Sequence, residues 1–244
     1  MPGFDRVADI YDATRSLRPD VMSKLVDQLV VFIGRSSVVD FGVGTGRFAA
    51  PLAKAGVVVL GLDVSRDMIV RARDKGAGDL VLAASESVPF VAKSFDYVLA
   101  VHFIHLVNDW KATLEEMARV SRKGLLTLVE DVQGSHPRDL YAELREKKGF
   151  AVRGLKHGER DLVGMVRPSL NRVLVEYTEV FDPAELCDEY AAKLHSITWD
   201  MPDSVNTQIV GVMRATLGQK RELPRSVSLV AWGSEELRAF HPSP

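Results

Sequence analysis

The sequence predicts an α/β protein, a doubly wound and mostly parallel seven-stranded sheet with helices on both faces and a helical lid inserted in the C-terminal half. Three observations carry that expectation. From Val38 onward, short β-branched runs alternate with longer amphipathic stretches, the pattern of strands joined by crossover helices. One of those runs, Val38-Val39-Asp40-Phe41, stops abruptly in glycines spaced two apart, Gly42, Gly44 and Gly46, before apolar spacing resumes at Phe48-Ala49-Ala50-Pro51-Leu52-Ala53. That is a buried strand, a tight turn and a helix. After Asp131 the alternation is lost, which leaves the second half for a lid and the last two strands.

The elements follow in order. Phe4, Val7, Ala8 and Tyr11 fall at helical spacing ahead of the turn-prone Arg18-Pro19-Asp20, so a short capping helix is expected. Asp20 is the expected N-cap of a helix from Val21 to Phe32, whose Met22, Leu25, Val26, Leu29 and Val30 form one stripe; Gly34 ends it. Five strands are expected at 38–41, 57–62, 80–83, 95–101 and 124–130, with helices at Met68–Lys75 and Trp110–Val120 the best defined between them. Pro137–Lys148 reads as a charged helix and Leu174–Phe181 as the sixth strand. Asp182-Pro183 is an N-cap followed by proline at the first helical position, opening a helix to about His195. Gln208–Leu217 is helical, Val227–Trp232 is the seventh strand, and Phe240–Pro244 is a short frayed tail.

Composition narrows the function. The chain of 244 residues is 46% hydrophobic and 26% charged, enough to bury a full core as one domain. A formal net charge of -2 gives no broad electrostatic reason to bind nucleic acid, and the basic stretches near 119–123, 138–148 and 219–221 are interleaved with acids or turns and lack aromatic stacking platforms, so they read as solvated faces. A single cysteine, Cys187, makes no internal disulfide. Apolar runs fall short of the ~20 residues a membrane span needs, and no signal peptide is recognisable, so a cytoplasmic protein is expected.

The glycine turn is where a nucleotide-sized ligand settles in such sheets, because glycine lets backbone approach a ligand closely. Asp63 ends the second strand about 20 residues further on, the offset at which a carboxylate meets a ribose diol. An acid there also serves as a helix N-cap, and Ser65-Arg66-Asp67 is compatible with that role. A dinucleotide fingerprint would place glycine at 47, where Arg47 stands. Asp40 beside a pyrophosphate is unfavourable; beside an ammonium it is favourable.

These residues resemble the class I S-adenosylmethionine-dependent methyltransferases, most closely the type-11 and ubiquinone/menaquinone C-methyltransferase-like group. The resemblance runs from Phe4 to Asp131 and implies a Rossmann-like fold with S-adenosylmethionine as cofactor. Val-Val-Asp-Phe-Gly-Val-Gly-Thr-Gly at 38–46 is similar to the family's first motif. It implies that Asp40 holds the methionine end and that Gly42, Val43, Gly44 and Gly46 lie under the ligand. Gly-Leu-Asp-Val-Ser at 61–65 implies Asp63 on the ribose, with Val64 and Met68 walling the adenine. The stretch from Ala83 to Phe90, then Ser94-Phe95-Asp96, is similar to the third motif. It brings Ser85 and Glu86 to the adenine end, although Ala84 replaces the usual aspartate; Ser85 or a backbone carbonyl is then left to take the adenine amino group. Ala100-Val101-His102-Phe103 occupies the segment beside the sulfonium, so Val101 and His102 join the cofactor set. The N-terminal pattern implies that Tyr11, with Arg15 behind it, covers the ligand.

The implied organisation is a single domain: a helical cap at 1–35, a cofactor core at 36–131, a substrate lid with the sixth strand at 132–226, and the last strand and tail at 227–244. The implied reaction is methyl transfer to a small-molecule acceptor, for which no catalytic residue is identified from sequence. A non-catalytic S-adenosylmethionine-fold binding module and a nicotinamide-dependent oxidoreductase are the alternatives. His102 and His105, three apart, suggest either proton transfer or packing of a pocket wall; no metal site is expected, for want of a completing acid or cysteine cluster. His136, His157, His195 and His241 read as surface residues. Tyr190, His195, Trp199 and Met201 are either an aromatic lid over an apolar acceptor or ordinary packing of a helical subdomain. The acceptor, the atom methylated and the oligomeric state stay open.

Overall fold

The computed structural model describes residues 17–132, 137–151, 155, 158–238 and 240. The expected N-terminal helix, with Tyr11 and Arg15, lies outside the described residues, as do His136, His157 and His241.

The first described helix, α1 (Pro19–Ile33), begins two residues before the expected start. Proline in the first turn loses nothing, since its missing N–H is one that a helix N-terminus leaves unpaired. Asp20 therefore lies inside the helix rather than capping it, and pairs with Arg18 at 2.8 Å. The buried stripe is Val21, Leu25, Val26, Leu29 and Ile33, and Gly34 closes the helix at φ +58°.

Seven strands form one sheet: β1 (Val38–Phe41), β2 (Val59–Asp63), β3 (Asp79–Leu82), β4 (Phe95–Leu99), β5 (Ser121–Val132), β6 (Leu170–Phe181) and β7 (Arg221–Gly233). Their order is β3-β2-β1-β4-β5-β7-β6. The first five are parallel, and β7 runs antiparallel to both neighbours. Chain direction across the sheet reverses between β1 and β4, so a crevice opens at their carboxyl ends. The last two strands run several residues beyond their apolar stretches, because they pair from Leu170↔Ala231 to Phe181↔Arg221. Continuous pairing satisfies the backbone of polar residues such as Asn171 and Arg172, which their side chains alone would not predict.

The helices joining them are α2 (Ala49–Lys54), α3 (Arg66–Asp74), α4 (Trp110–Val120), α5 (Pro137–Lys147), α6 (Glu159–Met165), α7 (Pro183–Ala191), α8 (Asp203–Thr216) and α9 (Ser234–Arg238). Successive residues of one strand feed opposite faces of the sheet. Val38 and Leu126 join the cluster under α1 to α3, while Val39 and Leu125 join the one under α4, α6 and α9. A third cluster lies within the lid and includes Tyr141, Cys187, Tyr190, Met201, Ile209 and Met213.

Two surface expectations are overturned. Phe240 is not frayed but buried, its ring 6.2 Å from that of Trp232, and burying such a side chain is worth about 1.5–3 kcal/mol. Arg145 is not solvated. Its five N–H donors go to the carbonyls of Phe150, Ala151 and Ile197 and to both carboxylate oxygens of Asp200, at 2.7–3.1 Å. A guanidinium with every donor used tolerates burial, and here it ties α5 to the chain around Ile197. Among the described residues no helix is long and apolar enough to cross a membrane.

Candidate active site

Where β1 ends, the chain turns through Gly42, Gly44 and Gly46 at φ +70°, +54° and +78°. At Gly42 glycine is required twice over, since a Cβ there would come within 2.0 Å of the Phe103 ring. A Cβ on Gly46 would press on Ala72 and Ala77 at 3.0–3.3 Å, so this glycine lets α3 close on the turn. Gly44 meets nothing nearer than 3.9 Å and presents bare backbone. Val43 is buried, its N–H donating to Leu62 O at 2.9 Å, which fastens the turn to β2.

Asp63 closes β2 and reaches back to that turn. Its Oδ2 accepts from Gly44 N at 2.9 Å and its Oδ1 from Ser65 N at 2.9 Å. The N-cap of α3 is Ser65, which accepts from Met68 N at 3.2 Å, so the helix-capping reading of Asp63 gives way to one in which its carboxylate faces the turn. A carboxylate oxygen accepts more than one hydrogen bond, which leaves this geometry compatible with a diol. Asp40, in the middle of the site, is buried. Loss of solvent, with the charge of Asp63 adding to it, pushes its carboxyl up to about 8. Among the described residues no donor offsets that burial, and a cation arriving beside it would.

The remaining expected cofactor residues are placed as follows. Met68 is buried on α3 and Val64 is exposed beside Asp63. Ser85 is buried, with its hydroxyl engaged by Glu86 Oε2 at 3.1 Å and Thr113 Oγ1 at 3.0 Å, so it faces α4. Val101 and His102 lie just past the end of β4, on the far side of the glycine turn from Asp63.

His102 is the unusual residue of this segment, with left-handed backbone at φ +54°. Strain of that kind costs of order 1–3 kcal/mol and gathers at functional sites. Its Nε2 lies 3.3 Å from Glu130 Oε1. Burial opposes the charge on Glu130. The hydrogen bond with His102 and the positive charges of His102, Arg47 and Arg225 outweigh it and bring the carboxyl down to about 2. Arg225 Nη1 is 3.8 Å from Glu130 Oε2, and its Nε is 2.5 Å from Glu179. The turn after His102 is held from the lid side, where Glu159 at the start of α6 accepts from Phe103 N at 2.7 Å and Ile104 N at 3.2 Å.

A cavity of about 450 Å3 opens over this group. Its floor includes Arg47, His102, Leu128 and Glu130, and its roof includes Tyr190, His195 and Trp199 from the lid. His195 is therefore not a surface residue: it stacks on Tyr190 with ring centroids 4.4 Å apart and pairs with Glu189 at 2.7 Å. Met201 packs inside the lid instead. The walls add Arg138, Arg160 and Arg225, so the lining is more polar than an aromatic lid over an apolar acceptor implies. Tyr177 Oη is buried in this wall with no hydrogen-bond partner among the described residues, and burial pushes its hydroxyl up to about 12, so it stays a donor.

Sequence reasoning missed Glu130, Glu159, Tyr177 and Arg225. Only Glu130 carried a signal, as a carboxylate ending the apolar run of β5 much as Asp63 ends β2. Tyr177 and Arg225 meet because β6 and β7 pair there in register, and Glu159 arrives on a helix the periodicity did not reveal.

Comparison with known proteins bears on the same region. Residues 39–128 match the family model described as a methyltransferase domain. The chain is 35% identical over 127 residues to a biotin biosynthesis bifunctional protein of Cellvibrio japonicus, covering 50% of this chain and 24% of that protein. It is 34% identical over 143 residues to a demethylmenaquinone methyltransferase of Renibacterium salmoninarum, covering 55% and 58%. The chain thus spans a quarter of the first relative and a little over half of the second. Among solved structures, a Thermotoga maritima S-adenosylmethionine-dependent methyltransferase, described as a possible histamine N-methyltransferase, shares the fold. The TM-score is 0.52 at 19% identity, over 93% of this chain and 97% of that one.

Proposed function

We propose that the chain is a class I S-adenosylmethionine-dependent methyltransferase, a reading supported by the methyltransferase domain matched at residues 39–128, and that it transfers the methyl group to a small polar acceptor held in the cavity between sheet and lid. The observation that carries this reading is that neighbouring residues touch both places. Phe103 packs on Gly42 of the glycine turn, and the neighbouring His102 lines the cavity floor. A donor on the turn and an acceptor in the cavity would meet at that boundary.

The residues present fit the cofactor. Gly44 offers bare backbone, Asp63 faces the turn from β2, and the buried carboxyl of Asp40, pushed up to about 8 by burial, would ionise as a counter-charge beside the donor's ammonium. When bound, S-adenosylmethionine supplies a methyl group already activated by its sulfonium, so the hard chemistry is the cofactor's. The protein's part is to orient the acceptor in line with the methyl carbon at about 3 Å and to exclude water. The lid serves the second task, since Tyr190, His195 and Trp199 roof the cavity.

Isothermal titration with S-adenosylmethionine and S-adenosylhomocysteine tests the donor assignment, with binding of both expected and of a nicotinamide cofactor not. Labelled methyl groups entering a metabolite extract would separate an enzyme from a binding module. A chain that binds the donor but labels nothing across extracts would overturn the catalytic reading.

A further inference from the structure

We propose that His102 is the general base of this site, held by Glu130, and that the acceptor is a protic oxygen or nitrogen, a hydroxyl or an amine, rather than a thioether or ready-made carboxylate, which have no proton to lose. The inference rests on the methyltransferase reading above and adds the residue and acceptor class that reading leaves open.

Three independent features converge on His102. Its ring lines the acceptor cavity, one residue from the side chain that covers Gly42. Its backbone is held left-handed at φ +54°, and the turn behind it is clamped by Glu159 through two backbone N–H groups. Its Nε2 meets a carboxylate that sits deep in the wall. An ionised Glu130 accepts hydrogen bonds only, so it selects the tautomer with the proton on Nε2. Nδ1 is then left with its lone pair as the proton acceptor. Fixing the tautomer of a base through a buried acid is the usual division of labour in acid–base pairs.

The step balances without any further reactant. As the acceptor oxygen or nitrogen bonds to the methyl carbon, its proton passes to Nδ1. The electron pair of the carbon–sulfur bond stays on sulfur, giving neutral S-adenosylhomocysteine. The imidazolium formed is stabilised by Glu130 and returns its proton to water before the next turnover.

The titratable groups that line the cavity with His102 include His105, Glu130 on β5, Arg47 after the glycine turn, Tyr177 and Glu179 on β6, Arg225 on β7, Arg138 and Asp139 on α5, and Glu159 and Arg160 on the lid helix α6. Of these, Glu130 makes the direct contact, so the effect of its removal is diagnostic. The test is nitrogen-15 spectroscopy of the imidazoles in the whole chain with S-adenosylhomocysteine bound, beside turnover of labelled methyl groups with whichever acceptor a metabolite extract yields. His102 is expected to show the Nε2–H tautomer, and Glu130→Gln to release that preference into a mixture of both tautomers. His102→Asn keeps a side chain that tolerates left-handed backbone. It should lower kcat at neutral pH by about 100-fold, the deficit closing as rising pH deprotonates the acceptor by itself. The labelled product should carry its methyl on oxygen or nitrogen. The Nδ1–H tautomer, a tautomer preference indifferent to Glu130→Gln, or a His102→Asn deficit that is absent or constant with pH would overturn the assignment. Failure of the wild-type chain to bind the donor would instead overturn the function on which it rests.

Discussion

Two side chains of the proposed donor site each predict a different measurement. Asp63 faces the glycine turn while Ser65 caps the helix, so Asp63→Ala should weaken S-adenosylmethionine binding by about 1–3 kcal/mol, read by titration calorimetry. Unchanged affinity would reduce Asp63 to a tether of the turn. Asp40 carries its proton up to about 8 in the fold, against 3.8 without it. The native state therefore binds that proton more tightly than the unfolded chain. Stability from this group is full below about pH 4, declines as pH rises toward 8, and levels off above. Asp40→Asn should flatten that slope in denaturant melts between pH 5 and 9 and stabilise the ligand-free chain at the alkaline end. The same substitution should weaken donor binding, because it removes the counter-charge. Opposite signs from one residue would be hard to explain by packing alone.

At the scale of elements, the joints between lid and sheet carry the consequences. Glu159 links α6 to the turn holding His102, and a carboxylate accepting two backbone N–H groups in a buried setting is worth about 1.5–3 kcal/mol per charged bond. Glu159→Ala should speed amide exchange at Phe103 and Ile104 while β1 and β4 stay protected. Arg145 links α5 to the segment around Ile197, and replacing it leaves the carbonyls of Phe150, Ala151 and Ile197 without their donor, at about 1–3 kcal/mol for each that stays buried. Arg145→Met should loosen α5, α7 and α8 together in hydrogen exchange, because their shared apolar cluster is separate from the two clusters that flank the sheet. Simultaneous loss of protection in β1 to β5 would show instead that lid and sheet unfold as one unit.

Across the whole molecule, a ligand that binds only the folded chain raises its stability by about 2.7 kcal/mol at a hundredfold excess over Kd. S-adenosylmethionine should therefore raise the melting temperature in proportion to the logarithm of its concentration. The elements legible in the sequence were those whose signal is local. β1 and α4 fall where expected, because a strand buried on both faces is one apolar run and a helix buried on one face repeats at its own period. The glycine turn and Asp63 were readable for the same reason. The lengths of β6 and β7 were not, nor was the burial of Arg145 and His195, since distant partners supply the compensation. By itself the sequence determined the sheet and the glycine turn proposed as the donor cradle, whose chemistry lies within one strand–turn–helix passage and the acid that follows it. Only the tertiary structure decided the acceptor side, where His102, Glu130, Tyr177 and Arg225 come from four separate segments. Their meeting depends on strand order and register, long-range pairings that leave no periodic trace in any one stretch of chain.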